Sequence, residues 1–357
     1  MKLALVHDYL NQRGGAERVF AHIARAYPEA PVYTALYDES KTGDLVAPER
    51  VRTSFLAHIP GANRHFRYLA PLYPAAFERF DLSEYDTIVS STTSWAKGVL
   101  VPRDAVHVCY INTVSRFAFD YDRYVSGFGV KTLAKPVVEA LIEWDKRAAQ
   151  RPTVFVANSR NVASRVRRYY HRDSLVLHCP ADVHRFTVGR GRGDYFFIAS
   201  RLLPYKRVDL AIRAAAIAGV PLFVAGTGPA EASLRALAAG TTTTMLGYVD
   251  DARINELMGN ARAALLPGEE DFGLVPIEAA ATGRPTIAYR GGGSLETIIE
   301  GLTGEYFDEA TPESLAQVLR RFDERKYDGA KLRAHAETFG PEHFIARFKA
   351  IVAEARR

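Results

Sequence analysis

Two carboxylates separated by seven residues, Glu270 and Glu278, bracket a turn in the run Gly268-Glu269-Glu270-Asp271-Phe272-Gly273-Leu274-Val275-Pro276-Ile277-Glu278. The run follows an apolar strand ending at Leu266 and opens a helix, so the amides of Phe272, Gly273, Leu274 and Val275 are expected to form an anion site at the helix start. A loop carboxylate such as Glu270 can accept a sugar hydroxyl, and one about a turn into the helix, Glu278, can hold a ribose in bidentate fashion. Acidic residues also gather at helix starts as caps. That accounts for Glu269 to Asp271 but not for Glu278, which lies too far along to cap.

A second candidate is Ser200-Arg201-Leu202-Leu203-Pro204-Tyr205-Lys206-Arg207, between a strand end and a helix start. There the guanidinium of Arg201 and the ammonium of Lys206 could converge on a diphosphate. A third is the turn Asn11-Gln12-Arg13-Gly14-Gly15-Ala16-Glu17, where Gly14 and Gly15 admit close backbone approach and the following helix points its N–H groups at an anion. It lacks the spacing of a dinucleotide fingerprint, and Gly226-Thr227-Gly228-Pro229-Ala230-Glu231 lacks that fingerprint's third glycine. The ten histidines show no metal-ligand spacing, and no Gly-x-Ser-x-Gly elbow occurs.

The elements that must carry these loops alternate. In the N-terminal half the apolar runs Leu3 to Val6, Val32 to Leu36, Thr87 to Val89, Val106 to Ile111 and Val154 to Ala157 predict strands. Val19, Phe20, Ile23, Ala24 and Tyr27 fall on one helix face. Residues 180 to 194, with Pro180, Gly189, Gly191 and Gly193, carry no periodicity and are expected to be a linker. A second series follows, with strands over Tyr195 to Ala199, Leu222 to Ala225, Thr244 to Leu246, Ala263 to Leu266 and Thr286 to Ala288, and helices over Arg207 to Ala218 and Val275 to Thr282. Apolar strands alternating with helices predict an α/β protein of two Rossmann-like, doubly wound domains facing across a cleft.

The 357-residue length suits two domains, expected at 1–180 and 190–340. With 48% hydrophobic and 24% charged residues the chain reads as an ordinary globular protein. Its 46 Lys and Arg against 41 Asp and Glu give +5, a balance that fits phosphates or an anionic surface, while no basic run is dense enough for nucleic acid. Cys109 and Cys179, far apart in apolar runs, read as buried thiols of a reducing compartment. The opening apolar run is too short for a signal or a span, so a cytoplasmic protein is expected, with peripheral contact at the inner membrane face. Residues 55 to 80 mix Arg64, His65 and Arg67 with Phe66, Tyr68 and Tyr73, a set that suits either docking of a lipid-linked acceptor or a helix packed into the core.

Taken together, the run from Glu269 to Ile298, SRLLPYKRVDLAI and VHDYLNQRGGAERV resemble glycosyltransferase family 4, over essentially the whole chain. The resemblance implies a GT-B fold with a C-terminal helix, 341–357, crossing back to the N-terminal domain, retaining transfer, and no metal or other cofactor. By position, Arg201 and Lys206 would bind the donor diphosphate in place of a divalent ion, and Glu278 the ribose. Glu270 with the amides at Phe272, Gly273 and Leu274 would hold the donor sugar, and the Val275 amide would lie near a phosphate. Gly14 and Gly15 would sit beside the diphosphate from the other domain, and Gly247, Tyr248 and Val249 near the base.

The segment HVCYINTVSRFAFD is similar to a bacterial mannosyltransferase pattern in which a histidine precedes the threonine, but here that position is Asn112, which hydrogen-bonds without shuttling protons. Arg116 keeps its identity and would face a phosphate or the acceptor. The triplet Asp120-Tyr121-Asp122 spells a metal-sugar signature of the other major transferase fold, against which the twin-domain pattern argues. The expected function is transfer of a hexose, mannose from GDP-mannose, onto a glycan or lipid-linked oligosaccharide. A UDP-sugar donor, a GT-B epimerase or phosphorylase, and a silent nucleotide-sugar binder are the alternatives.

Overall fold

The computed structural model describes residues 1–119, 135–191 and 193–357, so Asp120-Tyr121-Asp122 lies outside the described residues. The described residues up to Pro180, together with Pro341–Arg357, form one compact unit, and those of Ala181–Gly340 a second.

The first unit is built on β1 (Leu3–His7), β2 (Val32–Thr34), β3 (Val51–Thr53), β4 (Thr87–Thr92), β5 (Val106–Ile111), β6 (Val154–Ala157) and β7 (Leu175–Val176). They pair in parallel in the order β3-β2-β1-β4-β5-β6-β7, with Leu5 opposite Val89 where β1 meets β4. The second unit has β8 (Phe196–Ala199), β9 (Leu222–Ala225), β10 (Thr243–Gly247), β11 (Ala264–Leu266), β12 (Thr286–Tyr289) and β13 (Gly304–Phe307), in the order β10-β9-β8-β11-β12-β13. Both sheets therefore reverse chain order beside their first strand, at β1/β4 and at β8/β11. In doubly wound sheets the loops leaving the carboxyl ends at that reversal diverge and leave a ligand crevice.

Three strands went unanticipated. β3 and β7 are edge strands of only two or three residues, mostly exposed and too short to show a pattern, and β13 opens on Gly304 and carries Glu305. The expected helix stripe is present on Gly15–Ala26, where Val19, Phe20, Ile23 and Ala24 are buried. That helix packs against the C-terminal helix Pro341–Ala355, whose Phe344 and Phe348 rings meet Tyr110 of β5 at 5.5 and 6.0 Å. Their burial is what ties the last helix to the first unit.

The stretch expected to be a linker is bonded into the second unit instead. Ala181 donates to the Phe339 carbonyl (2.9 Å), Gly189 to Thr282 (3.0 Å), Gly191 to Gly259 (3.1 Å) and Gly193 to Asn260 (2.8 Å). Turn-forming residues that suggest slack in a sequence can equally let one backbone lie flat on another. Cys109 and Cys179 are buried free thiols, and burial pushes the Cys109 thiol up to about 12. In the 55–80 stretch Phe66 and Tyr73 belong to the core, while Phe55, Tyr68 and Leu72 are exposed. No helix among the described residues is long and apolar enough to cross a membrane.

Candidate functional site

In the second unit the loops leaving β8, β9, β10 and β11 lie backbone against backbone. A side chain at Gly226, after β9, would collide with the Ser200 carbonyl, and its φ of +131° is open only to glycine; its amide donates to the Gly247 carbonyl at 2.7 Å. A Cβ at Gly268, after β11, would strike the backbone of Tyr205 and Lys206. The loop after β12 closes the group, with the Gly293 amide donating to the Glu270 carbonyl at 2.8 Å. These glycines, not singled out from the sequence as site residues, set how closely the charged loops approach.

That approach joins two of the expected residues. The Lys206 ammonium is paired with the Glu270 carboxylate, their side chains only 22% and 12% exposed. One leaves β8 and the other β11, the two strands flanking the reversal. Lys206 ends a short 3-10 turn, Pro204–Lys206, after which Arg207 takes the left-handed region at φ +53°, a strained conformation for a side chain-bearing residue. Arg201, also after β8, is exposed.

Glu278 is engaged elsewhere. Its Oε1 accepts from Arg185 at 3.4 Å, and the same guanidinium donates to Asp251 at 2.9 Å. Arg185 was missed because it falls in the supposed linker. The helix Val275–Ala281 has Pro276 at its second position, and the Ile277 and Glu278 amides both go to the Leu274 carbonyl. Any anion site at this end therefore rests on the amides at Phe272, Gly273, Leu274 and Val275. Phe272 is buried, its ring 6.1 Å from that of Phe339. Gly247 ends β10, followed by a largely exposed Tyr248 and a partly buried Val249.

In the first unit the turn after β1 differs from expectation. The Gly14 amide, at the helix start expected to meet an anion, donates to the buried Glu17 carboxylate at 2.8 Å, and Gln12 donates to its other oxygen at 3.1 Å. An acidic side chain one turn into the helix folded back on the helix start, as a capping box does. A diphosphate approaching Gly14 and Gly15 would thus meet a carboxylate as well as amides. Asp8, which the sequence reading passed over, staples the loop after β4: its two oxygens accept six hydrogen bonds, from the Thr93, Ser94, Trp95 and Ala96 amides and the Thr92 and Thr93 hydroxyls, at 2.6–3.1 Å. Beside it, burial pushes the His7 imidazole below its usual range, with Glu17 and Asp8 pulling the other way.

Asn112, just past β5, is 8% exposed, and its amide nitrogen donates to Ser91 Oγ (3.1 Å) and the Thr92 carbonyl (3.3 Å). Both N–H groups are thereby used within the protein, which leaves Oδ1 as the atom able to meet a ligand hydroxyl. Arg116 opens the short helix Arg116–Phe119 directly after Ser115. Ser115 joins a buried network in which Lys97 pairs with Asp145 at 2.5 Å, Tyr170 donates to Asp145 at 2.8 Å, and the Ser115 hydroxyl bonds Asp145 as well. Among the described residues no group of three or more His, Cys, Asp or Glu side chains is placed to hold a metal ion.

Charge is divided unevenly. Residues 1–180 and 341–357 hold 28 Lys and Arg against 20 Asp and Glu, and residues 181–340 hold 18 against 21. The overall surplus is therefore no signal of the Lys206 site, whose electrostatics are local.

Residues 182–342 match the family model described as Glycosyl transferases group 1, the stretch that carries Arg185, Lys206, Glu270 and Glu278. This segment is thus similar to the group 1 glycosyltransferases. A D-inositol 3-phosphate glycosyltransferase of Streptomyces scabiei is 30% identical over 237 residues, covering 54% of this chain and 51% of that protein. A glycogen synthase of Mycobacterium tuberculosis is 43% identical over 63 residues, 17% of this chain and 15% of that one. The alignments to the first curated relatives thus span about half their length or less. Among solved structures, Anabaena Alr3699/HepE in complex with UDP and glucose superposes with a TM-score of 0.72 at 17% identity, over 99% of this chain and 100% of that one. Sucrose-phosphate synthase from Thermosynechococcus elongatus gives 0.74 at 16%, over 99% and 98%. The chain has the GT-B fold, with two parallel-sheet Rossmann-like units.

Proposed function

We propose that the protein is a retaining hexosyltransferase taking its sugar from a nucleoside diphosphate. The reading is carried by the Lys206–Glu270 pair, a cation and a carboxylate set on the two loops that flank the chain reversal of the unit similar to the group 1 glycosyltransferases. In this reading Lys206 and Arg201 neutralise the departing diphosphate, and Glu270 with the amides at Phe272, Gly273 and Leu274 orients the sugar hydroxyls. Glu278 holds the ribose, the Val275 amide meets a phosphate, and Gly247, Tyr248 and Val249 line the base. From the first unit Gly14 and Gly15 border the diphosphate, Asn112 presents Oδ1 to the sugar, and Arg116 faces a phosphate or the acceptor. The acceptor oxygen bonds the anomeric carbon as the bond from that carbon to phosphate breaks, and the hydroxyl proton passes to the departing phosphate oxygen.

The motif resemblance favours GDP-mannose. A UDP-hexose is the second reading, favoured by the fold relatives named with UDP and UDP-glucose. Thermal-shift titration with GDP, UDP, GDP-mannose and UDP-glucose separates them: stabilisation by guanine nucleotides alone is expected, and stabilisation by UDP alone reverses the choice of donor. The acceptor is a glycan or lipid-linked oligosaccharide, reached at the cytoplasmic membrane face, with the exposed Phe55, Tyr68 and Leu72 on the lipid side. Nucleotide release that requires an acceptor glycan separates transfer from epimerisation or silent binding.

Cationic side chains stand in for a divalent ion, so turnover in excess EDTA is expected to stay within about twofold of the untreated rate. Activity lost on chelation and restored by magnesium or manganese contradicts that.

A further inference from the structure

Arg185 ends a short 3-10 turn, Val183–Arg185, that packs on the helix carrying Glu278. Its guanidinium touches two other helices and the ring of the next residue. One nitrogen donates to Glu278 Oε1 at 3.4 Å, another to Asp251 Oδ2 at 2.9 Å at the start of the helix Asp251–Asn260, and the group lies 4.6 Å from the centroid of the Phe186 ring. The side chain is one quarter exposed and Glu278 one fifth, so both lie at the boundary between protein and solvent. A glutamate on a helix has three side-chain torsions to settle before it can accept two hydroxyls at once. An arginine is suited to settling them, because its fork sends N–H donors in fixed, diverging directions and stays protonated at any working pH. Here one arm of the fork is anchored on Asp251, and the stacked Phe186 limits rotation about the rest.

We propose that Arg185 is a positioning residue for donor recognition, holding the Glu278 carboxylate in the orientation that accepts the ribose hydroxyls of a nucleoside diphosphate. This rests on the assignment of Glu278 to the ribose made above. The same guanidinium offsets the Glu278 charge, which would otherwise oppose a dianionic diphosphate nearby.

The test is calorimetric titration of the full chain with GDP and with UDP, and then with the 2′,3′-dideoxy counterpart of whichever of the two binds more tightly. The wild-type protein is expected to bind the dideoxy compound about 10- to 100-fold more weakly, the range for hydroxyls on a charged acceptor. In Glu278→Ala that ratio falls to about 1–3. In Arg185→Met, which keeps an unbranched stem against Phe186, it falls to about 3 or less, and Arg185→Lys restores part of it. A ratio unchanged in Arg185→Met but collapsed in Glu278→Ala overturns the role of Arg185 alone. A ratio unchanged in Glu278→Ala overturns the ribose assignment, and this inference with it. A purely structural Arg185 would lower the melting temperature and leave the ratio intact, so melting curves accompany each titration.

Discussion

Replacing Lys206 with alanine is expected to lower kcat/KM by about a thousandfold, the upper end of what removing one electrostatic group from a reacting centre costs. Two effects add. The ammonium that would take up charge on the departing diphosphate is gone. In addition the Glu270 carboxylate, only 12% exposed, loses the Lys206 cation, so its negative charge opposes the same diphosphate more strongly. The second effect can be isolated, because Glu270→Gln removes the charge and keeps the shape. The double variant Lys206→Met with Glu270→Gln should therefore bind the nucleoside diphosphate more tightly than Lys206→Met alone, while remaining as slow in transfer. Steady-state kinetics with the donor selected by titration, and calorimetry for the product nucleotide, supply both numbers. A single variant within threefold of wild type, or a double variant that binds no better, would remove this pair from the donor site.

Lys97→Met should cost the first unit about 3–5 kcal/mol, the loss expected when one partner of a buried ion pair is left alone. Lys97 and Asp145 are 1% and 0% exposed, and Asp145 also takes the hydroxyls of Ser115 and Tyr170. Against a typical 5–15 kcal/mol for a whole protein, that loss brings the unit close to unfolding at ordinary temperature. Changing both partners, Lys97→Met with Asp145→Leu, removes the stranded carboxylate and should recover most of it. The chain supplies its own probe: its two tryptophans, Trp95 and Trp144, sit in the first unit with ring centroids 5.7 Å apart. Urea unfolding followed by tryptophan fluorescence thus reads that unit without the second. A single-variant loss below about 1 kcal/mol would mean the pair is worth no more than an exposed one.

The strands that carry the interior of both sheets, and the helices that cover them, were legible because each is a local run: Val106 to Ile111, or Val154 to Ala157, is apolar enough to announce a buried parallel strand without knowledge of its neighbours. β3, β7 and β13 were not, since a strand held by backbone pairing at a sheet edge can be very short or carry polar residues. Arg201, Lys206 and Glu270 were legible as charges in loops that follow strands, and Glu278 as one a turn into the next helix, because residue type and position relative to an element are both written along the chain.

Which charge meets which was decided in three dimensions. Lys206 reaches Glu270 across 64 residues only because the sheet places β8 beside β11, and Gly268 lets the two loops touch. Arg185 reaches Glu278 across 93 residues from a stretch whose composition suggests slack. Glu17 folds back onto the Gly14 amide at the helix start where an anion was expected. The sequence by itself determined the two parallel α/β units and the residue types at the ends of their strands, since hydrophobic burial and helix or strand periodicity act over a few neighbours. Only the tertiary structure decided the partners of those charges. Electrostatic pairing depends on distance through space, and that distance is set by the order in which the strands assemble.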